Sequence, residues 1–376
     1  MRARELGIKF EGTTGTLNAI TDVPGVQVGM TTIITGEGPL VYDQGPARTG
    51  VTAILPVGRD NVGQAVAAGI YSHNGNGEMT GSHWIAETGG LTGPVMITNT
   101  HAVGTVHRGV IEWVKQNHPE MAIEWLLPVV AETWDGYLND INGPHVTHQS
   151  AIDAINSATS GPVHEGSHGG GTGMNCYQFK GGNGTSSRIV SLGGEDYVVG
   201  AFLQANFGDR REFVINGVSM AELDVPNPID RDDWYLKDQA RAVPAGAGSV
   251  IVVIGTDAPL LPDQCRALAR RVPMGLARTG TAGGHFSGDI FLAFSTANAG
   301  EIGSGFPTEA ARDSSLRSME FIPWNYIDRF YTAVVQAVEE AVLNALINNE
   351  TMVGRDGHTS YALPHDLVLQ RLNISK

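Results

Sequence analysis

The run Val250-Ile251-Val252-Val253-Ile254, closed by Gly255, permits little except a strand covered by apolar layers on both faces. Ahead of it Pro244 introduces a loop of small residues, Ala245-Gly246-Ala247-Gly248, and Ser249 stands where loop becomes strand. A strand of this kind requires a layered fold, with more than one surface to bury it.

The Gly248-Ser249 pair also carries a chemical possibility. Cutting that peptide bond would make Ser249 a new N-terminus, with a hydroxyl and a free α-amine on adjacent carbons. An α-amine titrates near pH 8 in the absence of perturbation, about right for a general base at neutral pH. One residue then supplies both nucleophile and base without a His-Asp partner. Glycine at 248 admits backbone conformations that let Oγ approach the preceding carbonyl. Taken alone, the pair fits an ordinary loop-to-strand junction better, and other residues must raise the functional reading.

At 376 residues the chain exceeds the usual single-core size, which favours two domains or one large layered unit. Its 41% hydrophobic and 17% charged residues are those of a globular protein, and its 49 glycines cluster without a period, as tight turns require. A net charge of −15 argues against nucleic-acid partners, and no basic run suits a membrane surface. Two cysteines, Cys176 and Cys265, make no disulfide framework, so a reducing, cytoplasmic setting is expected, or a periplasmic one if a leader has been trimmed. The first residues carry positive charge but no apolar core, and no apolar run approaches a membrane span in length.

Along the chain, Leu17 to Gly29 alternates and turns at Pro24-Gly25 like a hairpin opening. Strands are predicted at Thr49 to Pro56, Ala122 to Val130, Tyr197 to Ala205, Arg211 to Val214 and Asp289 to Thr296. Helices are predicted at Val62 to Ile70, Val103 to His118 (stopped by Pro119), Thr147 to Ala158 with Thr147 as N-cap, Asp263 to Val272, and Ile327 to Ile347. The stretch Gly161 to Ser187 is too long and too rich in glycine, serine and threonine for an idle loop. Asp224 to Ala247, with its prolines and the Asp230-Arg231-Asp232-Asp233 cluster, has the composition of an exposed linker. There is no internal repeat. These elements suggest two packed sheets between helices, with a singly wound parallel sheet as the competing architecture.

Several motifs compete for the chemistry. His164-Glu165-Gly166-Ser167-His168 spells the zincin motif, which works only on a helix; Gly161-Pro162, Gly166 and Gly169-Gly170-Gly171 argue against one. His101, His107, His145 and His148 lack ligand spacing. The glycine-rich segments at 169–173 and 181–187 lack the Gly-Lys-Ser/Thr ending of a phosphate loop. Cys176 has only Lys180 nearby to lower its pKa. Two clusters suit Ser249 better. In Ser287-Gly288-Asp289 a hydroxyl and a carboxylate share one face of an extended chain, able to orient an amine and balance its charge. Asn206, at a strand end, can donate its amide to an oxyanion.

Together these segments resemble the self-processing aminopeptidases that include L-aminopeptidase D-amidase/esterase and the β-peptidyl aminopeptidases. The matching stretches run nearly end to end: Leu17-Asn-Ala-Ile-Thr-Asp-Val-Pro-Gly-Val, Glu132-Thr-Trp-Asp-Gly-Tyr-Leu-Asn-Asp-Ile-Asn-Gly, Gly169-Gly-Gly-Thr-Gly-Met, Phe179-Lys-Gly-Gly-Asn-Gly-Thr-Ser-Ser-Arg, Gln204-Ala-Asn-Phe-Gly, Gly248-Ser249 and Ser287-Gly-Asp-Ile-Phe-Leu-Ala-Phe-Ser. The resemblance implies an α+β, four-layer αββα sandwich like that of N-terminal-nucleophile hydrolases, with different connectivity. It implies cleavage before Ser249 into a larger chain, 1–248, and a smaller one, 249–376, that stay together as one co-folded unit and assemble as a homotetramer of such pairs. It implies Ser249 as nucleophile, assisted by Ser287 and Asp289, with Asn206 in the oxyanion site and Glu132 holding the substrate's ammonium group. Some members carry glutamate where this chain has the shorter Asp289. The expected substrates are short peptides and amino-acid amides or esters, with β-amino or D-amino N-termini among them, and no metal or organic cofactor is expected. The alternatives are a zinc peptidase built on His164-Glu165-x-x-His168 and a scaffold or binding protein without activity. The related ornithine acetyltransferases use threonine as nucleophile, so Ser249 argues against acyl transfer.

Overall fold

The computed structural model describes residues 1–229, 248–303, 305–306 and 316–374. Pro244, the small-residue loop before Gly248 and most of the expected linker lie outside the described residues. Two sheets stack face to face among the described residues. The smaller has the order β1 (Gln27–Thr35), β2 (Ala47–Leu55), β5 (Val95–Asn99), β6 (Val129–Thr133). The larger runs β4 (Gly90–Leu91), β3 (Val66–Ser72), β10 (Ser287–Ser295), β9 (Gly248–Thr256), β8 (Glu195–Asn206), β7 (Gly182–Leu192). Pairing is antiparallel except for β5 with β6 and β9 with β10. Both sheets are therefore mixed, which excludes the singly wound parallel alternative.

The run that opened the sequence reading is β9. Its side chains alternate between two cores, as strand geometry demands. Val250, Val252 and Ile254 point toward α4 (Pro262–Ala269), α5 (Val272–Ala277) and α6 (Asp328–Ile347), while Ile251 and Val253 point between the sheets. On the far side, α2 (Val103–Asn117) and α3 (His148–Asn156, capped by the Thr147 hydroxyl) cover the smaller sheet through Val106, Val110, Trp113 and Ile155. The result is the four-layer αββα sandwich. By length and hydropathy α6 resembles a membrane span, contrary to the sequence expectation, but its mostly buried surface lies against β7 and β8 as a core helix.

Other expectations change as well. Val62 to Ile70 is not a helix: its small residues belong to β3, and they are small because α4 crosses closely over them. A Cβ on Gly69 would come within 2.3 Å of the Arg266 backbone nitrogen. Leu17 to Gly29 is a 3-10 turn (Ile20–Asp22) followed by a strand, not a hairpin. The strand expected over Ala122 to Val130 begins only at Val129, and Arg211 lies in a 3-10 turn, Arg210–Glu212. The end of the glycine-rich stretch is β7, and Gly184 lets α6 close down on it. A Cβ there would lie 1.9 Å from the Ala341 carbonyl oxygen. Gly184→Ala should therefore cost about 1–3 kcal/mol through overpacking; an unchanged denaturation midpoint would show that α6 is not seated this closely.

Candidate active site

The site lies where β9 leaves the edge of the described core. Antiparallel pairing with β8 sets Ser249 opposite Asn206, and parallel pairing with β10 sets Gly248 opposite Ser287, Ser249 opposite Gly288 and Val250 opposite Asp289. Four of the residues singled out in the sequence are thus gathered by strand register alone. Ser249, Ser287 and Asp289 are each nearly fully buried, as are Asn206 and Glu132.

Alternation divides these side chains between two faces. Ser249 shares the inter-sheet face with Ile251, and its Oγ meets two donors there. The Trp134 backbone N–H donates at 3.3 Å, and the Asn206 amide nitrogen lies at 3.5 Å. The Asn206 carbonyl oxygen Oδ1 accepts from the Asn175 backbone N–H at 2.9 Å, which turns its Nδ2 toward Ser249. Ser287 and Asp289 belong to the opposite face, the one continued by Phe291. By register they stand opposite Gly248 and Val250, the residues on either side of Ser249. Ser287 Oγ donates to Asp289 Oδ1 at 2.5 Å, and Asn74 completes the clamp by donating to Oδ2 at 3.1 Å while accepting from the Asp289 N–H at 2.6 Å. The shorter aspartate reaches Ser287 directly.

Glu132 sits near the end of β6, one residue before the strand gives way to Trp134. Its carboxylate accepts from the Glu78 N–H at 2.9 Å and from the Thr100 hydroxyl. The loop that contributes Glu78 also presses on β10: a Cβ on Gly77 would lie 3.1 Å from Gly288 Cα and 3.2 Å from Glu132 Oε1. Residues 74–78 therefore tie the Glu132 carboxylate to the Ser287-Asp289 pair. Gly248 is needed for close approach, since a Cβ would meet the Asn206 carbonyl oxygen at 2.2 Å.

The competing motifs dissolve. Residues 164–168 form no helix, Gly166 has φ +78°, and Glu165 is held at 2.8 Å by Arg2 instead of being free to polarise a metal-bound water. Among the described residues no group of three or more His, Cys, Asp or Glu is arranged to hold a metal. Burial pushes the Cys176 thiol far up, so it is no nucleophile at neutral pH. Sequence reasoning missed the Trp134 N–H, Asn74 and Thr100. The first is a backbone donor and has no side-chain signature; the other two lie in loops that only the fold brings near.

Comparison with known proteins bears on family and fold. The profile of peptidase family S58 matches residues 18–360. A β-peptidyl aminopeptidase of Sphingosinicella microcystinivorans is 46% identical over 366 residues, spanning 97% of this chain and 90% of its own. The L-aminopeptidase D-Ala-esterase/amidase of Ochrobactrum anthropi, a prototype of the serine aminopeptidases with a variant Ntn hydrolase fold, superposes with a TM-score of 0.88 at 44% identity, over 99% of this chain and 98% of its own. A Burkholderia β-aminopeptidase superposes with a TM-score of 0.87 at 40% identity, over 99% and 98%. The sandwich is thus of the Ntn hydrolase kind.

Electrostatically, both carboxylates of the site are held uphill. Burial raises the Glu132 pKa, opposed by the Thr100 and Glu78 hydrogen bonds, and burial raises Asp289 against the hydrogen bonds from Ser287 and Asn74. A carboxyl whose folded pKa exceeds its unfolded one binds its proton more tightly in the folded state. Its stabilising contribution is complete below the unfolded pKa and is lost as pH rises through the folded one. Toward neutral pH the ionisation of Glu132 therefore takes stability away relative to its protonated form. Compared in a Ser249→Ala background, Glu132→Gln should raise the unfolding temperature at pH 7, and the gain should shrink toward pH 4. A gain that persists unchanged at pH 4 would mean that ionisation is not its source.

Proposed function

The chain is a serine aminopeptidase of peptidase family S58, and from that premise we propose that it cuts its own Gly248–Ser249 bond and works through the amine and hydroxyl so released. The observation that carries the proposal is the division of the β9–β10 pairing between two faces. Ser249 Oγ faces two hydrogen-bond donors, while the hydrogen-bonded Ser287 and Asp289 stand on the neighbouring strand opposite Gly248 and Val250, on either side of the residue whose nitrogen cleavage would turn into an amine.

The free amine takes the Oγ proton as Oγ attacks the first amide or ester carbonyl, with Ser287 orienting the amine from the neighbouring strand. Asp289 balances the ammonium charge that results. The Trp134 N–H and Asn206 Nδ2 steady the tetrahedral oxyanion, each such donor being worth about 3 kcal/mol. The amine proton then passes to the leaving group, and water releases the acyl group from Ser249 by the same route. Glu132 pairs with the substrate's terminal ammonium, which confines cleavage to the first residue. The substrates are short peptides and amino-acid amides or esters, with β-amino and D-amino N-termini among them; the activities named for the Sphingosinicella, Burkholderia and Ochrobactrum relatives support this range.

Cleavage would not release the smaller chain. Its β9 and β10 lie inside the larger sheet, paired with β8 on one side and β3 on the other, and α6 covers β7 and β8. The proposal extends to a homotetramer of such pairs, as the family resemblance implies.

A denaturing gel with N-terminal sequencing should show two fragments, the smaller beginning at Ser249, and a single inactive chain for Ser249→Ala. Full activity from an uncut wild-type chain would refute the mechanism. In the processed enzyme, Glu132→Gln should raise KM for a peptide with a free N-terminus by at least about tenfold, through loss of a charge-assisted contact; an unchanged KM would remove Glu132 from the ammonium site.

A further inference from the structure

Lys180 is among the largest fully buried side chains of the protein, yet the chemistry above has no use for it. It belongs to a two-stranded hairpin in which Asn175 pairs with Lys180 and Cys176 with Phe179. The hairpin turns through Tyr177 and Gln178, both at positive φ. Its backbone N–H donates to the Tyr361 carbonyl at 2.7 Å. Its ammonium donates to two main-chain carbonyls, Met174 at 2.8 Å and Gly181 at 2.7 Å, which close the base of the hairpin. Burial opposes the charged form, and the nearby Asp135 carboxylate favours it.

An apolar side chain would fill this space without that desolvation cost, so the ammonium must be judged by what it holds. The residue after Met174 is Asn175, whose N–H fixes Asn206 Oδ1; the residue before Asp135 is Trp134, whose N–H meets Ser249 Oγ. Lys180 thus stands behind both donors that face the hydroxyl. The Asn206 amide is the more vulnerable of the two. Without the Asn175 clamp a half-turn about its terminal bond would present an oxygen to the developing oxyanion and replace attraction by repulsion.

We propose that Lys180 is a positioning residue for the oxyanion site: by anchoring the Met174 and Gly181 carbonyls it keeps the Asn175 N–H on Asn206 Oδ1, and so keeps the Asn206 amide nitrogen facing Ser249. This rests on the reading of Ser249 and Asn206 given above. The two can fail separately.

The test is a double-mutant cycle of Lys180→Met and Asn206→Ala, with kcat and KM expressed per mole of fragment beginning at Ser249. Lys180→Met should lower kcat by about tenfold to a hundredfold with little change in KM, as loss of part of one oxyanion donor would. In the Asn206→Ala background the same substitution should cost less than about threefold, because its route of action is already gone. An equal loss in both backgrounds, or an unchanged kcat in Lys180→Met, overturns the proposal and leaves the active-site reading intact. An unchanged kcat in Asn206→Ala overturns both. Should Lys180→Met leave Asp135 too costly to bury alone, Lys180→Met/Asp135→Asn removes both charges, and the same outcomes apply to it.

Discussion

The groups that surround the Gly248-Ser249 bond depend on the side-by-side parallel pairing of β9 and β10 inside a sheet whose other pairs are antiparallel. Parallel strands offer both chains' N-terminal ends at the same edge, so the first residues of two strands arrive together. That brings Gly248 and Ser249 beside Ser287, Gly288 and Asp289 with no loop needed to carry any of them. Antiparallel β8 adds the end of a third strand, Asn206, at the same edge. The positions of these groups are as rigid as the sheet, and the sheet is rigid because both of its faces are buried in apolar layers. A site built on strand ends suits electrostatic preorganisation, in which donors must already point where charge will develop.

How far the sequence revealed this differs between elements, for physical reasons. β9 and β10 were legible because a strand buried on both faces has no polar face to blur its pattern. Ser249, Asn206, Ser287 and Asp289 were legible as residue types at strand ends. Their division between two faces was not, because it depends on the register between strands rather than on either strand alone. The β3 segment was misread for a related reason. Its alanines and glycines, small to admit the α4 backbone at Gly69, carry no periodicity of their own. The zincin spelling at 164–168 shows the converse, a motif complete in letters and empty in geometry, with its glutamate spent on Arg2. The Trp134 N–H and the loop bearing Asn74 belong to the tertiary fold only.

The same strand pairing bears on how the two portions of the chain are joined. Residues 249–376 supply two central strands and the long helix α6, whereas residues 1–248 supply the flanking strands on either side. At the interface the Glu340 carboxylate of α6 meets Arg188 of β7 at 2.7 Å, with both side chains buried, and meets Arg4 at 2.8 Å; Asn18 adds a further donor at 2.6 Å. Burial alone would raise the Glu340 pKa, but the Arg4 hydrogen bond and the Arg188 charge outweigh it and hold the carboxyl below its usual range. The pairing is therefore charged at neutral pH, and its partners are donated by the N-terminal segment and by β7.

A buried ion pair is weak evidence for net stability, because desolvation offsets much of its attraction, but breaking one strands a charge. Here that asymmetry acts across the two portions. Separating them would unpair β9 from β8, unpair β10 from β3, and leave Arg188 and Glu340 without each other in an apolar setting. Apart from the Ser249–Asn206 pair at the end of β9, these interactions lie away from the Gly248–Ser249 peptide. The cleavage proposed at that point would leave the strand pairing and the ion pair in place, and with them the groups that the strands hold around Ser249.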